Sequence, residues 1–173
     1  MSKKLNSPRF DPSRYVPLGI SWKKELGKKG IWNAVAMSVG LLFFWLIYIP
    51  AQNDLWERHG SERVLVPGAV MRDFADCMQF ALLMFLVVVL AELMQIREYY
   101  KYHREGSMSI YLMRRLPSRW ELHRRCLAFP LLGLGLCAAA AFLTVVLCYA
   151  YYMIATPDAC LTPGQWQKFW RLL

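Results

Sequence analysis

Three long apolar blocks limit what this chain can fold into more than any other feature of its sequence. They cover residues 31–51, 78–96 and 126–156, and each contains few polar side chains. A membrane-spanning helix needs roughly 20 mostly apolar residues to cross about 30 Å of hydrocarbon. The helices of a soluble bundle would each keep a polar face, which these blocks lack. The sequence therefore predicts an all-α integral membrane protein with three transmembrane helices.

The charges between the apolar blocks predict how the chain is threaded through the membrane. Residues 1–30 carry eight Lys or Arg and two acids, and residues 97–125, the basic loop, carry eight Lys or Arg and three acids. Residues 52–77 have the opposite bias, with three Arg and five acids. Because short segments rich in Lys and Arg stay in the cytoplasm, we expect the N-terminus and the basic loop inside. The outer loop 52–77 and the C-terminus are then outside.

Both ends of the chain have the composition of segments that lie on a membrane surface. Residues 1–19 combine three prolines with four basic residues, which favours a flexible basic arm. Residues 20–30 place Trp22 and Leu26 on one side of a helix among lysines, which predicts a separate interfacial elbow helix before the first span. Residues 157–173 contain a capping sequence followed by aromatic residues at helical spacing. They predict a second interfacial helix, on the outer face.

The basic loop contains start and stop signals for one short helix. Gly106 ends the helix that arrives from the second block, Ser107 is suited to cap a new helix, and Pro117 cannot continue it. These signals predict a short cytoplasmic helix over residues 107–116. A capping box then begins at Ser118, so we expect the helix of the third span to start there.

Two polar residues, Glu92 and Gln95, fall inside the second block near its cytoplasmic end. An ionised acid at membrane depth costs a few kcal/mol, so such a residue normally has a partner or a function. We expect Glu92 to pair with Arg97 or with a basic group on another helix. A role in proton or substrate transport is the alternative, although proton relays usually need more than one buried ionisable group.

Small residues recur every four positions along the third block, at Gly133, Cys137 and Ala141. This spacing puts them on one side of a helix, where they offer a groove for the close approach of another helix. Two further cysteines, Cys77 and Cys160, both lie outside in the predicted topology. A disulfide between them is open at this point, because geometry decides it.

Motifs that carry enzyme chemistry are absent from the sequence. It has no phosphate-binding P-loop and no metalloprotease or serine hydrolase motif, so we expect no enzyme activity, no cofactor and no metal in this chain. The net charge of +9 would also suit nucleic acid, but no nucleic-acid-binding fold accompanies it. Basic and aromatic residues beside a span are typical of contact with anionic lipid. We therefore expect anionic lipid, and no nucleic acid, as a partner.

The order of these features resembles the membrane subunits of ABC exporters of the type 2 permease superfamily. The resemblance is most specific in the basic loop, which has, in order, Glu105-Gly106-Ser107, Ile110-Tyr111-Leu112, Arg115-Leu116-Pro117-Ser118-Arg119 and Glu121-Leu122. With the elbow and the spans included, it covers residues 20 to 154. The family usually has six spans, and this chain matches the first three.

The resemblance implies that helix 107–116 is a coupling helix that inserts into a cleft of a separate ABC ATPase subunit. The residues placed at that contact are Met108, Tyr111, Leu112, Arg114, Arg115 and Leu116. The alternative is a helix that lies on the membrane with its arginines on lipid headgroups. The resemblance also implies further transmembrane subunits, as a homo- or hetero-oligomer, in a bacterial plasma membrane. The rival function is a non-catalytic scaffold or assembly factor that recruits partners through helix packing.

Overall fold

The computed structural model describes residues 15, 21–59, 62–105 and 119–172. The predicted helix 107–116 and most of the arm 1–19 lie outside these residues. The regular elements are, in chain order, α1 (Trp22–Asn53), β1 (Trp56–His59), β2 (Glu62–Leu65), α2 (Phe74–Glu105), α3 (Arg119–Ala155), a 3₁₀ helix (Asp158–Cys160) and α4 (Gln165–Leu172).

Helices α1, α2 and α3 are each long and apolar enough to cross a membrane. Their most apolar 18-residue windows have mean hydropathies of 2.0, 2.3 and 2.5, and between 22% and 33% of each window is buried inside the protein. Apolar surface of this kind is stable only when lipid or another apolar surface covers it. The prediction of three candidate spans is confirmed.

The first span differs from the prediction because no break separates it from an elbow helix. Helix α1 runs without interruption from Trp22 to Asn53, so the predicted elbow forms its first turns. Glu25 and Lys29, which the prediction placed on an interfacial helix, are buried at 7% and 3% exposure. Their side chains form hydrogen bonds with residues of α2, so the first turns of α1 pack against protein.

A β-hairpin lies in the segment that was predicted only as an outer loop, and it is a local departure from the otherwise helical pattern of the regular elements. Strands β1 and β2 pair antiparallel, with Trp56 opposite Leu65 and Arg58 opposite Arg63. The chain passes from one strand to the other at residues 60–61, which lie outside the described residues. A glycine and a serine between two short strands are a recognised hairpin signal, which the reading of this segment as an irregular loop missed.

The chain divides into two compact units, and each of the three long helices contributes residues to both. The first unit contains Met1–Ile31 and Leu90–Gly135, and the second contains Trp32–Val89 and Leu136–Leu173. In the first unit, a small apolar cluster is built on Tyr99, which is buried with side chains of α3.

The core of the second unit is an aromatic cluster that holds α4 against the longer helices. The rings of Phe44 and Tyr48 stack at 5.4 Å, and the ring of Phe74 lies 5.6 Å from Tyr152 and 5.4 Å from Phe169 of α4. Aromatic pairs of this kind contribute about 0.5–1.5 kcal/mol each beyond their burial. The predicted terminal helix therefore exists as α4, and one side of it packs on protein while Trp170 stays 50% exposed.

Candidate functional site

The most unusual site in the described chain is an ion pair buried in the first unit. The ammonium group of Lys29 on α1 donates a close hydrogen bond to the carboxylate of Glu92 on α2, and the two side chains are only 3% and 8% exposed. Lys29 Nζ also donates to Gln95 Oε1 at 2.7 Å. The predicted basic partner of Glu92 is thus Lys29, on another helix, whereas Arg97 is exposed.

Further hydrogen bonds extend this pair towards the N-terminal end of α1. Gln95 Nε2 donates to Glu25 Oε2 at 2.6 Å and to the Tyr99 hydroxyl at 2.8 Å. The Tyr99 hydroxyl donates to Glu25 Oε2 at 3.2 Å, and Lys28 Nζ donates to Glu25 Oε1 at 3.0 Å. An amide NH₂ has two protons to donate, so Gln95 can make both bonds at once. These residues form the Lys29 network: Glu25, Lys28, Lys29, Glu92, Gln95 and Tyr99.

Helical spacing explains why these residues meet. Glu25 and Lys29 are four residues apart on α1, and Glu92, Gln95 and Tyr99 follow one another at three and four residues on α2. Residues at these spacings share one face of a helix. The network as a whole contains two acids and two lysines, with Lys28 included, so it is formally neutral. Neutrality matters because an unpaired charge is costly in an apolar surrounding.

Gly133 of α3 makes room for the carboxyl group of Glu92. A Cβ atom at position 133 would lie 2.6 Å from Glu92 Oε2 and closer still to the rest of that carboxyl. A larger residue here would displace Glu92 from Lys29. The small residue at this position therefore serves the buried ion pair, which the sequence pattern did not reveal.

The other two predicted small residues of α3 lie in the second unit and pack on the chain itself. The thiol of Cys137 donates to the Phe85 carbonyl at 3.6 Å. Cys137 and Phe85 belong to an apolar cluster with Ala36, and Ala141 packs against it while half-buried. The groove predicted for another helix is thus occupied, at these positions, by helices of this chain.

The predicted coupling residues and the disulfide that the sequence left open have different outcomes. Residues 108–116, which include all six residues assigned to ATPase contact, lie outside the described residues. Cys77 and Cys160 are both buried free thiols, so the disulfide is not formed. Both pack in the aromatic cluster of the second unit, where they act as small apolar residues.

A second polar cluster fastens α4 to the start of α2. Asp73, next to the first residue of α2, accepts hydrogen bonds from Thr162 at 2.9 Å, Gln165 at 2.9 Å and Lys168 at 3.0 Å. The backbone N–H of Phe74 donates to Gln165 Oε1 at 2.9 Å. Burial raises the pKa of the Asp73 carboxyl, but the hydrogen bonds from Lys168, Gln165 and Thr162 outweigh it and lower the pKa below its ordinary value of 3.8.

Asp73→Asn is expected to reduce the free energy of unfolding by about 1 kcal/mol at neutral pH, because Asp73 is part-exposed and its charge-assisted bonds are screened by water. A carboxyl with a lowered pKa stabilises the fold above its unfolded-state value and loses that effect as pH falls through the folded value. The difference between wild type and Asp73→Asn should therefore stay constant at neutral pH and shrink below about pH 3.8. Unfolding curves measured in detergent from pH 7 to pH 3 check this.

Asp76→Asn is the matched control, because Asp76 is an exposed carboxylate in the first turn of the same helix. We expect it to change stability by less than Asp73→Asn does. An equal loss in the two variants would show that the stabilisation comes from negative charge at the start of α2 and not from the contact with α4.

The sequence did not predict Glu25, Lys29 or Tyr99 as members of the site. A signal was present, since a lone acid near the end of one span needs a basic partner at similar depth. Residues 20–30 were instead interpreted as an interfacial helix. Within the described ranges, no group of three His, Cys, Asp or Glu side chains could hold a metal ion.

Length, composition and fold make this chain a multi-pass membrane protein with three candidate spans. Comparison with protein-family models, with curated protein sequences and with solved structures found no match. Any closer assignment therefore depends on the residues described above.

Proposed function

We propose that this protein is a membrane subunit of an ABC transport complex, in which a separate ATPase subunit docks on the basic loop. The observation that carries the proposal is the Lys29 network, which lies at the end of α2 that leads into residues 106–118. The sequence pattern of that loop, with helix breaks on both sides of a short apolar and basic stretch, supports a protein contact there.

The helix ends on either side of the loop are joined to each other. The Tyr100 hydroxyl of α2 and His123 Nδ1 of α3 form a hydrogen bond of 2.6 Å. Tyr99 is buried together with Cys126 and Phe129 of α3. A force applied to residues 106–118 would therefore act on α2 and α3 together.

The Lys29 network then links α2 to α1. Glu92, Gln95 and Tyr99 lie within the last four turns of α2, and their partners Glu25 and Lys29 lie in the first two turns of α1. Buried, hydrogen-bonded charge pairs hold a fixed geometry, because separating them leaves charges unpaired. In the proposed function, this linkage passes the movement of an ATPase from the loop to all three spans.

The proposed orientation puts the N-terminus and the basic loop in the cytoplasm, and residues 52–77 and α4 outside, in a bacterial plasma membrane. The distribution of Lys and Arg supports this orientation. Further transmembrane subunits would complete the six spans usual in such permeases.

Purification of the tagged protein from its own membranes in a mild detergent tests the proposal. We expect an ATPase subunit to co-purify in constant proportion, and the eluate to hydrolyse ATP. Recovery of the chain alone, or with partners that lack ATPase activity, would contradict the proposal and favour the scaffold. The scaffold hypothesis has less support at Gly133 and Cys137, since both already pack against this chain.

Leu112→Asp and Arg115→Glu are expected to weaken ATPase association about thirtyfold or more, the effect of losing an interface hot spot worth about 2 kcal/mol. Insertion into the membrane should not change, because both residues lie between the spans. Co-purification yield and ATP-dependent transport, measured against the amount of membrane-inserted protein, check this prediction.

Val64→Asp is the matched control for Leu112→Asp. Val64 is 48% exposed in β2, so the substitution adds the same charge at an exposed apolar residue on the proposed outer side. We expect the control to keep its ATPase partner. Equal loss of the partner in Val64→Asp and Leu112→Asp would remove the specific role assigned to the loop.

A further inference from the structure

One face of the β-hairpin brings two arginines directly opposite each other. In the pairing of β1 with β2, Arg58 lies opposite Arg63, and Trp56 lies opposite Leu65. Because side chains alternate across a strand, these four residues share one face, and Glu57 and Val64 share the other. Opposed side chains in an antiparallel pair have their Cβ atoms about 4.5–5.5 Å apart. The Cβ atoms of Arg58 and Arg63 are therefore neighbours, so both guanidinium groups can reach one anion.

Like charges in this position destabilise a hairpin unless an anion lies between them. Both arginines are exposed, and no carboxylate within the described residues forms a salt bridge with either. An isolated two-stranded hairpin is already marginal in stability. An external anion would both relieve the repulsion and hold the two strands together.

We propose that the Arg58–Arg63 face of the hairpin binds the phosphate group of an anionic membrane phospholipid. Guanidinium groups match the geometry of phosphate oxygens, and two of them can hold one phosphate from both sides. The site is separate from the basic loop and needs no ATPase partner.

Position and composition favour a lipid phosphate over a soluble one. Arg58 follows the last residue of α1, Asn53, by five residues, a reach of about 17 Å at most. Trp56, on the same face, is 38% exposed, and tryptophan is enriched at the level of lipid headgroups. Leu65 packs against the buried aromatic cluster. The face thus has an apolar and aromatic pair, Leu65 and Trp56, at one level and the two arginines at the next, as a membrane interface does.

Hydrogen exchange of the full-length protein in lipid nanodiscs tests the proposal locally. The amides of residues 56–65 are compared in phosphatidylcholine discs and in discs that also contain phosphatidylglycerol with the same acyl chains. We expect about 25-fold slower exchange with the anionic lipid, since each of the two basic residues near an anionic surface contributes on the order of a factor of five. Equal exchange in the two discs would overturn the proposal.

Three variants and one soluble anion separate the possible causes of slower exchange in the anionic discs. Arg58→Gln combined with Arg63→Gln should abolish the difference between the discs, whereas Arg72→Gln, an exposed arginine of the same segment, should keep it. If the glutamine variant loses the hairpin in both discs, Arg58→Lys with Arg63→Lys keeps the charge and should keep part of the difference. Glycerol phosphate added to phosphatidylcholine discs should have no effect. Full protection by glycerol phosphate would identify a site for soluble anions and overturn the lipid assignment.

Discussion

Lys29→Met is expected to lower the free energy of unfolding by about 3–5 kcal/mol, the usual cost of removing one partner of a buried ion pair. The substitution keeps the length and apolar character of the side chain but leaves the carboxylate of Glu92, which is 8% exposed, without its ammonium partner. Gln95 loses a donor at the same time. Unfolding in detergent at increasing mole fractions of dodecyl sulfate, followed by helical circular dichroism, measures the loss.

Lys28→Met is the matched control, because the same change is made one residue earlier. Lys28 is 65% exposed and pairs with Glu25 three residues away on the same helix. Exposed pairs of this kind contribute about 0.5 kcal/mol or less. A loss in Lys29→Met no larger than in Lys28→Met would show that the Lys29–Glu92 pair does not hold α1 to α2.

A double substitution, Lys29→Met with Glu92→Leu, separates the cost of an unpaired charge from the value of the pair. Replacing a buried ion pair by apolar residues is often neutral or stabilising. We therefore expect the double variant to recover most of the stability that Lys29→Met loses. If the proposed coupling function is right, the double variant should insert normally but transport less, because the geometry of the network is lost.

Gly133→Leu is expected to lower the free energy of unfolding by about 2–3 kcal/mol, since a side chain would have to enter space that Glu92 already fills. The carboxyl of Glu92 must then move away from Lys29 or α3 must move away from α2. Both changes damage the buried pair, so the effect of this substitution and that of Lys29→Met should not add. The same unfolding assay on the single and double variants checks both statements.

Gly135→Leu is the matched control, only two residues further along α3. Nothing lies within 4 Å of a Cβ atom at this position, and leucine is the better helix former by about 1 kcal/mol. We expect the control to be neutral or slightly stabilising. Similar losses at positions 133 and 135 would mean that glycine flexibility in α3, and not the space beside Glu92, accounts for the effect.

The largest features of the fold could be predicted because they depend on composition over long windows. A block of about 20 apolar residues has few stable arrangements apart from a membrane helix, so the three candidate spans were correctly predicted. A lone acid inside the second block likewise needs a partner. Glu92 was therefore marked as a residue of interest from the sequence.

Short-range features were predicted less well, because local signals compete with contacts from distant parts of the chain. Residues 20–30 have the composition of an interfacial helix, yet Glu25 and Lys29 are buried through bonds to residues about 70 positions away. The hairpin was missed because its signal spans only a few residues. The sequence left a disulfide between Cys77 and Cys160 open because its formation depends on tertiary geometry, and both cysteines are free thiols in the apolar core.

The linear pattern of residues was thus enough for the class of protein, the number of candidate spans and the presence of one charged group that needed a partner. Only the tertiary structure decided which lysine meets Glu92, why a glycine lies at position 133, and which face of the hairpin carries two opposed arginines. The physical reason is that the two kinds of property act over different distances along the chain. Hydropathy sums over a segment and can be read along it, whereas a hydrogen bond or a steric overlap depends on two atoms within a few ångströms.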